Sequence, residues 1–468
     1  MNWRALDASE VLARARRALD VEAVRFIRYT TTGEEFIFGQ SARPGGPWPR
    51  YSFERMVTCC DYERGAWSEE IVGSRVRAEM RGGGEPSIPR GVTYARDGYS
   101  WSQAGPKSFA APWHAPNRLH QVWITPQGAI SAAARNHAAL QWRIGDGRSH
   151  AALSFSEPGL FSATVVLNEQ FLVECVESAV PVAYCGMLPF VTTYSDYADF
   201  GGVRFPARIR RSQGCFPVLD ASVTEVDLDG ALDIEVPEAV SQAGTQRRTA
   251  LPLAHRAWHI PGSHNCVAIE MHDHIVVVEA PLIEAAASAV FDAVKRAIPD
   301  KPIRYVICTH HHIDHAGGLR AAVAEGATIV THALNKDLFE RYFAAPRSLA
   351  QQDLSAAALQ PRFATVTDKL ELRDAANAIQ LHHMRGNAHA EDLIMVYLPA
   401  EKLLIEADAF SPGAANAPVP GEADPFAENL LDNIERLGLA VDRIVPMHGP
   451  IVPLKELYRA VGRVDRRS

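Results

Sequence analysis

The stretch "VICTHHHIDHAGGL", Val306 to Leu319, places four histidines and one aspartate in the six positions 310–315. It begins inside "IRYVIC", a run that fits a strand buried on both faces. "GLRAAVAEG", which follows the cluster, has the pattern of a helix. The cluster therefore lies at the carboxyl end of a strand, where α/β folds place reactive groups. Helix capping or core packing would account for one such histidine. It does not account for three histidines and an aspartate spaced as His310-x-His312-x-Asp314-His315.

Working outward, three more metal-competent side chains occupy similar places. "GNAHAEDLIMVYLP" puts His389 in a loop before a strand, "LLIEADAF" puts Asp408 at a strand end, and "VPMHGP" puts His448 at another. Five histidines and two carboxylates at open positions suit zinc or a similar first-row ion. His311 should face away from its neighbours on an extended loop, so it is not expected to be a ligand. His382 and His383, on the strand leading toward His389, are read as structural.

The surrounding grammar is mixed: "HIVVVEA", "IRYVIC", "ATIVTH", "AIQLHHM", "LIMVYLP" and "KLLIEAD" read as strands. "LIEAAASAVFDAVKRAI" and "PFAENLLDNIERLG" read as helices. Such a mixture indicates sheets inside and helices outside. Fourteen of the eighteen histidines lie from His255 onward, so metal chemistry belongs to this half.

The first half differs. "VRFIRYTTTGEEFIFGQ", "GVTYARDGYSWSQAG", "FSATVVLNEQFLVECVES" and "FGGVRFPARIRRS" alternate apolar and polar residues between Gly- and Pro-rich turns. Before them, Asp7 and Glu10 form a capping box for an amphipathic helix. Residues 1–240 are expected to be a mainly antiparallel, half-barrel-like β domain packed on a helix, 241–256 a linker, and 257–468 the catalytic domain. The "GGG" at 82–84 is not followed by a helix pattern and is no phosphate loop.

The chain has 468 residues and a net charge of −8, which gives no electrostatic case for nucleic acid or an anionic membrane. No run approaches the roughly 20 apolar residues of a membrane span. The N-terminus lacks an apolar signal region, so a cytoplasmic location is the default, and a periplasmic one would require a leader already removed. Seven cysteines without a C-x-x-C argue against a disulfide framework or structural zinc knot. A small-molecule substrate is the expected partner, and no signature of an oligomeric state stands out.

"THHHIDHAGG", "GNAHAEDLIMVYLP", "ADAF" and "MHGP" together resemble the metallo-β-lactamase-fold superfamily, over roughly Trp258 to the C-terminus. The first half, through "YSDYADFGGVRFPARI", more distantly resembles the strand-rich domain that precedes the catalytic one in some bacterial members. The resemblance implies an α+β chain whose second half is an αββα sandwich with the site at one end. It implies that His310, His312 and His389 bind one metal, that Asp314, His315 and His448 bind a second, and that Asp408 bridges. The expected cofactor is two Zn2+, other divalent first-row metals being possible. The expected activity is a dinuclear metal-dependent hydrolase in which a bridging hydroxide cleaves an ester, lactone, thioester or amide, with Asp314 orienting the nucleophile or moving a proton. His264, Tyr342 and Phe410 are candidates for contacting substrate. Alternatives are an iron persulfide-dioxygenase-like enzyme, a β-lactamase-like amidase and a non-enzymatic carrier of an apolar ligand. The lactamase branches lack the bridging aspartate, the dioxygenase branch uses two histidines and the aspartate, and an inert carrier has no reason to keep seven ligands. The N-terminal domain is expected to pack on the catalytic one and restrict access to the metals without supplying a ligand.

Overall fold

The computed structural model describes residues 5–77, 79–84, 87–88, 91–145, 147–183, 185–243, 247–346, 360–413 and 423–464. The chain is α+β, with one large antiparallel sheet followed by two smaller sheets. The helix Ala8–Ala18 opens with the expected capping box between Asp7 and Glu10. Among the described residues, fourteen strands then form a meandering sheet, joined at its middle by pairing of Phe26–Phe36 with Phe216–Asp227. The alternation in the sequence becomes alternation of burial. In Phe161–Leu167, Phe161, Ala163, Val165 and Leu167 are buried, while Ser162, Thr164 and Val166 are half-buried. The buried face packs on Ala8–Ala18, Ala115–Val122 and Pro126–Arg135. "FSATVVLNEQFLVECVES" is two strands, Phe161–Leu167 and Val173–Val182, because Asn168 accepts from the Gln170 and Leu172 amides and turns the chain.

The second half is an αββα sandwich. Among the described residues, one sheet has seven strands, from Leu251–Ala254 to Arg362–Val366, and the other has six, from Lys369–Arg373 to Val452–Pro453. The first of these strands falls inside the stretch expected to be a linker and pairs with Ala257–Ile260. Between the sheets lies a core of fully buried aliphatics, including Val276, Val278, Ile307, Val396, Ile405 and Val445. The helices Glu284–Ala297 and Leu319–Ala324 cover one sheet. Pro425–Arg436 and Leu454–Ala460 cover the other. Ile275–Val278 is buried on both faces. Ile303–Ile307 is not: Arg304 is exposed and pairs with Asp273.

The apolar core of the N-terminal sheet is continuous with the helical layer of the sandwich. Among the described residues, no helix is long and apolar enough to cross a membrane. None of the seven cysteines is joined in a disulfide.

Candidate metal centre

The strand Ile303–Ile307 delivers Thr309–His312 to the end of the sandwich, and a single helical turn, Ile313–Ala316, carries Asp314 and His315. The loop before Ile394–Leu398 brings His389, and the turns after Leu403–Glu406 and Arg443–Pro446 bring Asp408 and His448. The donor atoms form two groups, each within 4.8 Å: His310, His312, His389 and Asp408, then His264, Asp314, His315 and His448. Asp408 faces both. Its Oδ2 lies 3.1 Å from His389 Nε2 and 3.8 Å from His310 Nε2. Its Oδ1 lies 3.1 Å from His315 Nε2 and 3.2 Å from His448 Nε2.

Four of the five rings are held from behind. His310 Nδ1 meets Thr309 Oγ1 at 3.0 Å, and His312 Nε2 meets the Ser41 carbonyl at 2.8 Å. His315 Nδ1 meets Glu279 Oε2 at 3.2 Å, and His448 Nδ1 meets the Ser263 carbonyl at 3.1 Å. A rear partner fixes the tautomer and aims the other nitrogen forward. His312 Nδ1, His315 Nε2 and Asp408 Oδ1 are buried without a hydrogen-bond partner. Burial and then the neighbouring imidazoles push His310 and His312 well below the ordinary histidine pKa, so both rings are neutral at pH 7. A buried, neutral ring whose forward nitrogen has no partner, His312, beside imidazoles that converge on the shared Asp408 carboxylate, is what a divalent cation needs. The donor set therefore fits metal binding.

A family model described as the metallo-beta-lactamase superfamily matches residues 259–448. Residues 259–448 form a metallo-β-lactamase superfamily domain. The alpha subunit of 2,4-dinitroanisole O-demethylase from Nocardioides sp. (strain JS1661) is 26% identical over 202 residues, 43% of this chain. The chain spans 57% of that curated relative's length. A metallo-beta-lactamase from Pontibacter korlensis overlays at 16% identity, over 46% of this chain and 97% of its own, with a TM-score of 0.36. One from Hirschia baltica overlays at 18% identity, over 47% and 100%, also with a TM-score of 0.36.

Within the metallo-β-lactamase domain, the seven residues expected as ligands are brought together, and His264 joins them with Nε2 3.3 Å from Asp314 Oδ2. The other two candidates pack among apolar side chains. The Phe410 side chain is buried in the core beneath Pro425–Arg436. Tyr342 packs at the junction with the N-terminal sheet, its hydroxyl pushed up by burial and by Cys185. His311 turns away, its Nδ1 2.7 Å from Asp392 and its Nε2 2.9 Å from Ser41 Oγ. His382 meets Gln380 and His383 meets the Glu391 carbonyl.

Three carboxylates escaped the sequence reading. Glu279 accepts from the Thr309 amide at 3.2 Å and supports His315. Glu406 accepts from the Ala409 and Phe410 amides at 3.1 and 3.2 Å, which ties the turn carrying Asp408. Burial and then the Asp408 charge hold the Glu406 carboxyl well above its usual range. Asp392 accepts from His311 and from Asn335. Glu279 and Glu406 each close an all-apolar strand run, "VVVE" and "LLIE". A carboxylate at the end of a doubly buried strand has no solvent, so it must find buried donors. That is the signal that could have found them.

The N-terminal half also reaches the centre. The Gly39 carbonyl accepts from Ile313 N at 3.3 Å, and Gln40 Nε2 donates to Asp314 Oδ1 at 2.7 Å. The Ala42 carbonyl accepts from Glu391 N, and Gly82 N donates to the Ala388 carbonyl, both at 2.8 Å. Arg81 pairs with Glu391 at 2.7 Å.

Proposed function

We propose that this chain is a dinuclear metal-dependent hydrolase, with zinc the expected ion, acting on an ester, lactone, thioester or amide of a small molecule. The observation that carries the reading is Asp408, whose two oxygens face two separate donor groups. His310, His312 and His389 would hold one ion, Asp314, His315 and His448 the other, with Asp408 between. Bound there, two divalent ions would supply Lewis acidity and acidify water at neutral pH. Asp314 is a quarter exposed, so it reaches the open side of the site and can orient the attacking water and take a proton from it. His264 stands beside Asp314, and burial lowers its pKa, so the ring rests neutral at pH 7 and helps to orient the carboxylate.

A second reading draws on the relative named an O-demethylase subunit. Displacement of methoxide from an activated aromatic ring by water would use the same activated nucleophile and release methanol. The two readings differ in the electrophile, not in the machinery.

Metal analysis of protein purified without added zinc, joined to a panel of a lactone, a thioester, a β-lactam, a phosphodiester and a nitroaryl methyl ether, separates them. Two divalent ions per chain and metal-dependent turnover of a carbonyl substrate are expected. Turnover of the ether alone would select the second reading. A single iron per metal-replete chain, with His315 and His448 not ligated, would move the chain to the dioxygenase class.

A further inference from the structure

We propose that the metal centre is completed by the N-terminal half, with Gln40 as the positioning residue that holds Asp314 for the second metal. The inference rests on the dinuclear reading above. It begins from a register: one short turn touches four consecutive residues of the histidine motif. Ser41 Oγ meets His311 Nε2 at 2.9 Å, the Ser41 carbonyl meets His312 Nε2 at 2.8 Å, the Gly39 carbonyl meets Ile313 N at 3.3 Å, and Gln40 meets Asp314 at 2.7 Å. A domain that merely covered the cleft would not need this correspondence.

The turn is built for the approach. Gly39 has φ +80°, and a Cβ there would sit 2.6 Å from Ile313 Cγ2. A Cβ on Gly83 would sit 1.8 Å from Gln40 Oε1, so only glycine leaves room for the amide. The Gly83 main-chain amide in turn donates to the main-chain carbonyl of Gln40 at 2.9 Å. The amide is thus wedged between Gly83 and Asp314, with its donor toward the carboxylate.

The chemistry follows from what an amide can do. It donates to Asp314 Oδ1 without bringing a charge, and it has no proton to lose. Oδ2 is left toward His264, at 3.3 Å, and His315, at 3.5 Å. A carboxylate pinned by one oxygen offers the other in a fixed direction, which is what an outer partner contributes to a metal ligand. Without the pin, the Asp314 side chain must give up rotamer freedom when the second metal binds.

The test compares the full chain with Gln40→Ala and Gln40→Met. Met keeps the length and most of the volume and removes the donor. Metal-free protein is titrated with Zn2+ against a competing chelator, and with Co2+ followed by its visible spectrum. Both variants are expected to lose about tenfold or more in affinity for the weaker ion, as loss of an outer partner does elsewhere. The tighter ion should bind with unchanged affinity. Wild-type affinity for both ions in the two variants overturns the inference and leaves the dinuclear reading standing. Recovery by Met but not by Ala also overturns it, because packing would then suffice. A wild-type chain that holds only one ion at saturation overturns the dinuclear reading and this inference together.

Discussion

Asp408→Asn is expected to lose at least about a hundredfold in metal-dependent activity while the fold survives. Partners that only touch a metal ligand are worth about 10–100-fold in affinity or activity, and removing a shared carboxylate should exceed that. Asn is the informative substitution because Asp408 has φ 59°, a left-handed conformation that Asn tolerates well. Asp408→Ala would add backbone strain of about 1–2 kcal/mol and mix two effects. Metal content of the purified variant, circular dichroism and turnover together check the expectation. Near-wild-type turnover with two ions retained would remove Asp408 from the bridging role.

The second large effect is on stability and lies outside the donor groups. Asp392 is fully buried and accepts from His311 N at 2.8 Å, His311 Nδ1 at 2.7 Å and Asn335 Nδ2 at 2.8 Å. Asp392→Ala leaves these donors buried without an acceptor, a change expected to cost about 3–5 kcal/mol. Asp392→Asn keeps the shape and part of the bonding and should cost about 1–3 kcal/mol. Urea unfolding of the apo chain, followed on both halves, measures the difference; equal stability of Asp392→Ala and wild type would show that the triad is ornamental to folding. The same carboxyl sets an acid limit. Burial opposes its charge, yet His311 and Asn335 bring its pKa from 3.8 down to about 2. The stabilisation is therefore complete above about pH 4 and is lost as the pH falls through about 2.

Legibility in the sequence followed the range of the physical constraint. His310, His312, Asp314 and His315 share one loop, so their spacing states their geometry. His389, Asp408 and His448 each end or precede a strand of obvious apolar pattern, which puts them at one edge of the sandwich. The N-terminal antiparallel sheet was readable in outline because alternation survives in strands such as Phe161–Leu167. Its contacts were not. Nothing local in "IFGQSARPGGPW" says that Gln40 will meet a carboxylate 274 positions later. Phe410 and Tyr342 show a related limit. Proximity to a ligand in sequence does not decide which way a side chain turns, and Phe410 belongs to the buried apolar cluster that includes Leu430 and Met384.

Two of the rear partners of the histidine rings are carbonyls of the main chain, at Ser41 and Ser263. No substitution deletes a carbonyl. Over evolutionary time the side chain at position 263 can drift while the ring of His448 keeps its orientation, so long as the turn holds, whereas the Ser41 side chain is tied separately to His311. Glu279 has no such freedom, because its support of His315 ends with its carboxylate. A comparison of descendants of this sequence should find position 279 restricted to a carboxylate and position 263 open to many residues. An index of importance built on residue identity alone would then overlook half of what keeps the rings aimed.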